Sequence, residues 1–274
     1  MLPYHPTHSS QHQPTMNKLG QLLKHLSCFP SHSPPPSYAI FDPHPPDCAC
    51  PIHIHRTHPI RPTIIESFQS QGSAASASAT PYLLSLLADP SPDPNVLVLD
   101  YHVTYHDHLG WEDTAGNKAY DERQWDYARA MGRQEVRTPQ VVVNGDIEGT
   151  GATKSVLEGL IMKGNRAASE GKNWLRFKVV EGGVRVERAE GRSGHVLEVL
   201  YDPHVREVVI GKGENAGKTL QERNIVRNLR VLGEWKGGEE RVFELRRING
   251  DGLERVVLLQ EGIGGPIFGA ARIA

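Results

Sequence analysis

The spacing of apolar residues changes twice along the chain. From residue 63 to residue 168, short apolar runs alternate with segments whose apolar residues recur at helical spacing, a pattern typical of strands that alternate with helices. It predicts six elements, at residues 63–68, 81–88, 96–100, 117–131, 140–143 and 153–163. Asn144-Gly145 then predicts a tight hairpin turn into a further strand. After about residue 170 the period becomes two, which predicts a series of short antiparallel strands.

The first sixty residues follow neither pattern. Residues 1–60 hold 12 of the 20 prolines and few charged side chains, and such sequence cannot bury enough apolar surface to offset the entropy lost on ordering. The pattern therefore predicts a disordered, proline- and histidine-rich arm over residues 1–61 and an α/β domain over 62–168. An antiparallel, sandwich-like β domain over 169–274 is expected to pack against the α/β domain. The apolar end of the chain, 256–274, should dock back onto the rest.

Composition narrows the function classes and the compartment. The 30 basic and 32 acidic residues nearly balance, which argues against a strongly basic nucleic-acid-binding protein. No stretch reaches the ~18 uncharged apolar residues that a membrane span needs. Three cysteines cannot all pair within the chain, and together with the lack of a clear secretory signal they favour an intracellular, cytoplasmic location. Leucines at helical spacing within 16–29, beside two lysines, leave mitochondrial targeting as the alternative.

The order of the elements, with Thr138-Pro139 leading into the last hairpin, is the layout of thioredoxin. The chain resembles more specifically the DUF1223 family, a thioredoxin-like family of unknown function. The matching segments are 66–72, His102 with 109–111, 122–124, 138–145, 213–220 and 264–271. The resemblance implies a thioredoxin-like fold, with a cis bond before Pro139 that presents the neighbouring backbone to a ligand.

The chain departs from that family at the position of its usual Gly-Cys-x-x-Cys-Pro-Pro motif. Here the sequence reads Gly72-Ser73-Ala74-Ala75-Ser76, so both cysteine positions are serines. Dithiol exchange needs a thiolate to attack a disulfide, and a serine hydroxyl has neither the acidity nor the redox couple. We therefore expect no thioredoxin-type redox catalysis at this position. The serines either belong to a pocket that has been kept for binding or only form a turn that caps a helix, for which Ser76 and Ser78 are good N-cap residues.

These arguments favour a redox-inactive, thioredoxin-like module that binds a peptide or protein client, rather than an enzyme. The thioredoxin fold normally holds an extended peptide at the corresponding place. The expected binding surface consists of Ser73, Ser76, His102, Trp111, Thr138 and Pro139. This interpretation requires no cofactor.

Two alternatives use the N-terminal arm. In the first, Cys48 or Cys50 replaces the missing cysteine pair, and the protein is a thiol-disulfide oxidoreductase. In the second, the protein handles metal ions, because Cys48, Cys50, His53 and His55 offer soft thiolate and imidazole ligands for zinc or copper.

Overall fold

The computed structural model describes residues 61–88, 93, 95–170, 174–248 and 252–273. Apart from Arg61, the arm predicted over residues 1–61 lies outside the described residues, and so does the leucine-containing segment 16–29. The proposed metal ligands of the arm also lie outside them: Cys48, Cys50, His53 and His55.

Three α-helices, one short 3-10 helix at Asp107–Leu109 and thirteen strands form within the described residues. The α-helices are α1, Ala74–Ser85, α2, Lys118–Ala130, and α3, Lys154–Glu170. The strands of the first half are β1, Thr63–Gln69, β2, Val96–His102, β3, Gln140–Val143, and β4, Ile147–Gly149. Those of the second half are β5, Phe177–Val180, β6, Gly183–Val186, β7, Gly194–Asp202, β8, Arg206–Val209, β9, Thr219–Glu222, β10, Ile225–Trp235, β11, Arg241–Glu244, β12, Glu254–Gln260, and β13, Ile267–Ile273.

Eight of these strands form one mixed sheet in the order β13-β12-β7-β10-β2-β1-β3-β4. β1 and β2 are parallel and paired over their full lengths, whereas β3 is antiparallel to β1 and β4 is antiparallel to β3. β10 pairs with the other edge of β2 through Ile225 and Asp100 and continues the sheet into β7, β12 and β13. The sheet therefore crosses the predicted boundary between residues 168 and 169.

This continuity corrects the architecture predicted for residues 169–274. The sequence predicted a separate sandwich-like domain, but four of its strands extend the sheet of the first half. An uncovered β2 would present a row of unpaired backbone groups, and β10 pairs with this edge at Asp100. The alternation of apolar residues predicts a strand and its buried face but does not identify the neighbouring strand. The other strands form a three-stranded sheet, β11-β6-β5, and a hairpin of β8 and β9.

Helices cover both faces of the sheet in the first half of the chain. Alternate residues of a strand point to opposite faces, so Phe68 of β1 packs in one apolar cluster with Tyr127 of α2. Ile65 of the same strand packs in another cluster with Leu83 of α1 and Leu157 of α3. Because β1 and β2 are parallel, the N-terminus of α1 lies at the edge of the sheet where both strands end.

The contact between α3 and β3 is close at Gly164. A Cβ atom at Gly164 would come within 2.5 Å of Cγ1 of Val143, whereas Gly159 of the same helix has no atom within 4 Å of such a position. We expect Gly164→Ala to lower the free energy of unfolding by about 1–3 kcal/mol through overpacking. Gly159→Ala, the matched control, should raise it by about 0.5–1 kcal/mol, because alanine favours helix. Urea unfolding of both variants measures the difference, and equal effects would contradict the close contact.

Candidate functional site

Three buried acidic residues surround one histidine at the edge where β1 and β2 end. Asp100 and His102 are two residues apart on β2, so they point to the same face, and they are 3% and 2% exposed. Nδ1 of His102 lies 2.9 Å from Oδ2 and 3.0 Å from Oδ1 of Asp113. On the other side of the ring, Nε2 lies 3.4 Å from Oδ2 of Asp100 and 3.9 Å from Oε1 of Glu222. Nε2 makes no hydrogen bond with any described residue.

Hydrogen bonds from two glutamines fix the carboxylates of this cluster. Gln69 donates from Nε2 to Oδ1 of Asp100 at 2.7 Å, and Gln71 donates from Nε2 to Oε2 of Glu222 at 3.2 Å. Asp113 accepts the backbone N–H of Gln71 at 2.8 Å. Each acidic side chain is therefore held in position by an amide group, and Oδ2 of Asp100 and Oε1 of Glu222 face His102.

Burial and neighbouring charges shift the ionisation of the cluster. Burial by itself lowers the pKa of His102, but the carboxylates of Asp113 and Asp100 outweigh burial and raise that pKa well above its usual value. Burial raises the pKa of Asp113, but the charge and hydrogen bonds of His102 leave that pKa below its usual value. Burial also raises the pKa of Glu222, with His102 opposing the rise and Asp100 adding to it. At neutral pH the ring is thus an imidazolium held between carboxylates.

The two serines at the start of α1 lie beside this cluster. The Oγ of Ser73 accepts the backbone N–H of Ser76 at 3.3 Å and so forms the N-cap of α1. The Oγ of Ser76 accepts the backbone N–H of Ser70 at 3.3 Å. Both serines are buried. Helix capping was expected at Ser76 or Ser78, but the N-cap is Ser73. Ser76 lines the cleft described below.

Trp111 joins the cluster through a glutamine. Its indole Nε1 donates to Oε1 of Gln71 at 3.0 Å, and the same oxygen accepts the backbone N–H of Thr114 at 3.0 Å. Gln71 therefore links Trp111 to Glu222 and to Asp113, so the tryptophan supports the site from one side.

Thr138, the residue before Pro139, contacts a different histidine, His106. The Oγ1 of Thr138 is 2.9 Å from Nε2 of His106, the Thr138–Pro139 peptide bond is cis, and Pro139 is buried. A Cβ atom on Gly72 would lie 3.6 Å from the carbonyl oxygen of His106. His106 therefore connects the threonine to the turn that precedes α1.

A small cleft opens between α1 and β9 above His102. It is partly open to solvent. Its polar lining is formed by Gln69, Ser70, Gln71, Ser76, Thr80, Asp100, His102 and Glu222, and its apolar lining by Ala77 and Leu220. Of the six predicted binding residues, Ser76 and His102 line this cleft. Trp111 contacts the lining residue Gln71, whereas Ser73, Thr138 and Pro139 do not line the cleft.

Sequence reasoning missed three members of the site. Asp113, Glu222 and Gln71 were not predicted, although the acid and histidine two residues apart at Asp100 and His102 were visible as a pair on one strand face. Gln71 and Asp113 stand in loops, where no periodic pattern indicates which way a side chain points. Glu222 comes from a hairpin distant in sequence, so no local pattern joins it to His102.

The described part of the chain holds no group of three His, Cys, Asp or Glu residues arranged around a metal ion. In that part, no helix is both long and apolar enough to cross a membrane.

The fold and the site define a mixed α/β protein with a large sheet and an acidic, histidine-centred cleft at the end of its parallel strands. The chain belongs to the DUF1223 family, described as a protein of unknown function, whose model matches residues 64–260. This match confirms the family resemblance predicted from the sequence.

Two solved structures are similar to the chain. The crystal structure of a protein from Agrobacterium tumefaciens is 26% identical with a TM-score of 0.62, and the match covers 77% of this chain and 93% of that one. HBP35 of Porphyromonas gingivalis is 11% identical with a TM-score of 0.47, covering 77% of this chain and 74% of that one. No curated protein matches the chain.

Proposed function

We propose that this protein is a redox-inactive, thioredoxin-like module that binds an extended peptide or protein segment at the N-terminus of α1. The observation that carries the proposal is the cleft above His102, whose polar side chains are held in position by hydrogen bonds to one another. A polar cleft that is already fixed loses little conformational entropy when a ligand enters. Ser76, at one of the two positions where the resemblance implies a cysteine, lines it.

The topology of the first half of the chain supports the thioredoxin-like part of the proposal. The strand order β2-β1-β3-β4, with β1 parallel to β2 and the last two strands antiparallel, is the order of the thioredoxin layout. α1 and α3 contact each other on one face of the sheet, and α2 packs on the other. The cis bond before Pro139 directly precedes β3, as the resemblance implies.

The chemistry at the start of α1 supports the redox-inactive part. The hydroxyls of Ser73 and Ser76 accept backbone hydrogen bonds, and a hydroxyl cannot form the mixed disulfide on which thiol exchange depends. None of the described residues is a cysteine, because Cys28, Cys48 and Cys50 all lie outside them.

We expect the chain to leave the rate of insulin reduction by dithiothreitol unchanged, since no thiolate is present at the helix terminus. The full chain and a variant with Cys28, Cys48 and Cys50 all replaced by serine should both give the rate of dithiothreitol alone in a turbidity assay. Faster reduction that persists in the cysteine-free variant would overturn redox inactivity. Faster reduction by the full chain that is lost in the cysteine-free variant would assign the activity to the cysteines of the arm.

The binding part is tested with a panel of fluorescein-labelled eight-residue peptides of varied sequence, titrated by fluorescence anisotropy. We expect saturable binding of a subset of the panel. His106→Ala should weaken that binding, because it removes the side chain that contacts Thr138. His204→Ala is the matched control, because the hydrogen bonds of His204 are to Asp202 and to none of the proposed binding residues. Lack of binding by the whole panel, or equal effects of the two substitutions, would contradict the proposal.

A further inference from the structure

Three polar atoms of the acidic cluster face one another at the base of the cleft. They are Oδ2 of Asp100, Oε1 of Glu222 and Nε2 of His102, with separations of 3.4 and 3.9 Å from the nitrogen. The companion atom of each group is already bound, by Gln69, Gln71 and Asp113 respectively. Nε2 has ion pairs with both carboxylates but no hydrogen bond among the described residues, although His102 is only 2% exposed. Because a buried polar atom without a hydrogen bond is costly, a ligand that hydrogen-bonds to these groups would be stabilised.

The charges of the cleft favour a cationic ligand. The imidazole of His102 contacts both oxygens of Asp113 through Nδ1, so the charge of Asp113 compensates that of the ring. Asp100 and Glu222 then remain in excess. The other residues that line the cleft are neutral, and α1, which covers it, contains no charged residue.

We propose that the cleft binds a primary ammonium group, and that in the peptide segment of the proposed function this group is a lysine side chain. The three N–H groups of the ammonium would donate to Asp100, Glu222 and His102. Ala77 and Leu220, the apolar lining of the cleft, would contact the methylene stem. The assignment to a lysine of a bound peptide rests on the proposed function. The ammonium site itself does not depend on it.

The three converging atoms favour an ammonium over a guanidinium. A guanidinium carries its donors in a flat, rigid fork, whereas an ammonium turns three donors around a single point, as three converging acceptors require.

Binding of an ammonium should be coupled to release of a proton. Nε2 of His102 can accept an N–H only when the ring is neutral, with the remaining proton on Nδ1 directed at Asp113. The groups that face the ring are Asp113, Asp100 and Glu222, and a protonated Glu222 would also bind the cation less well. Affinity should therefore increase as the pH rises from 6 to 9, below the pKa of about 10.4 of an alkylammonium.

The test uses n-butylammonium, a mimic of the lysine side chain, added to the full-length chain. The carbon-bound ring protons of His102, observed by NMR, should shift saturably with n-butylammonium and more tightly at pH 9 than at pH 6. Tetramethylammonium, a cation without N–H donors, and n-butanol, which has no charge, should not produce the shift. Equal responses to the three compounds, or no response to n-butylammonium, would overturn the inference.

Glu222→Gln should weaken n-butylammonium binding by about tenfold, because a charged acceptor is replaced by an amide of the same shape. Glu158→Gln, on the exposed side of α3, removes the same charge elsewhere and should have no effect. Circular dichroism checks that both variants fold, and the wild-type series with the three probes decides the question if Glu222→Gln does not fold. Equal binding by both folded variants would contradict the assignment of Glu222.

Peptides separate this inference from the proposed function. N-acetylated peptides that contain lysine should bind more tightly than the same peptides with norleucine. A peptide without lysine but with a free N-terminus tests whether an α-ammonium is accepted instead. If peptides bind equally well with and without these ammonium groups and n-butylammonium gives no response, the ammonium site is contradicted but the proposed function is not. A response to n-butylammonium without binding of any peptide removes the proposed function alone.

Discussion

Replacing Arg123 with methionine is expected to lower the free energy of unfolding by about 3–5 kcal/mol. Arg123 of α2 is 5% exposed and Glu66 of β1 is fully buried. The guanidinium donates from Nε and Nη2 to the two carboxylate oxygens at 2.6 and 2.8 Å. Removing it would leave a carboxylate in a low-dielectric interior without its opposite charge. Urea unfolding monitored by tryptophan fluorescence measures the loss.

Two further variants show whether charge, and not only volume, causes that loss. Glu66→Leu combined with Arg123→Met removes both charges, and we expect it to recover most of the lost stability, since apolar side chains often replace a buried ion pair without cost. Arg166→Met, which breaks an exposed pair with Glu170, should change stability by less than about 0.5 kcal/mol. A double variant as unstable as Arg123→Met alone would contradict the charge argument.

The sequence indicates that Glu66 needs a partner, but it does not identify Arg123 as that partner. Glu66 stands between two strand residues, Ile65 and Ser67, that are as buried as itself, and an acidic residue inside an apolar run signals that a partner must exist. The helix that carries Arg123 was also predicted, and it begins one residue after Asn117, whose side chain accepts the backbone N–H of Ala119. The pairing itself depends on which helix covers which face of the sheet, and no local pattern states this.

The start of α1 was predicted in the wrong place, although the sequence contains local signals for the correct one. The spacing of leucines predicted a helix from Pro81, but α1 begins at Ala74. Alanine and serine give no apolar stripe, so the periodic pattern misses the first two turns. Alanine nevertheless has the highest helix propensity, and Ser73 supplies the N-cap. Proline at position 81 lies inside the helix, which the sequence argument took for its first residue.

One part of the candidate site could be predicted from neighbouring residues in the sequence, and another part could not. Asp100 and His102 come from one strand, so their common face follows from the period of a strand. Glu222 follows them by more than a hundred residues, and it reaches His102 because the chain returns from β9 into β10 beside β2. The sequence placed Glu222 in a separate β domain. Glu222 was therefore not predicted as a residue of this site.

Replacing His102 with asparagine is expected to lower the free energy of unfolding by about 3–5 kcal/mol at pH 6. An asparagine amide can still donate to Asp113, but it carries no charge, so Asp100, Asp113 and Glu222 would remain buried without a cation. Urea unfolding at pH 6, 7, 8 and 9 measures the difference between the variant and the wild type. His204→Asn, which changes a histidine that is 58% exposed, should alter stability by less than about 0.5 kcal/mol.

The pH dependence of that difference has a definite sign. The pKa of His102 is raised in the folded chain above its usual value of about 6.5, so folding favours the protonated ring. Its contribution to stability is therefore complete below pH 6.5 and is lost as the pH rises through the folded-state pKa. The lowered pKa of Asp113 acts at the acid end, where stability is lost as the pH falls through that pKa, so it does not interfere between pH 6 and 9. The difference between His102→Asn and the wild type should thus shrink at high pH, and a difference that stays constant or grows would show that the imidazolium does not hold the three carboxylates together.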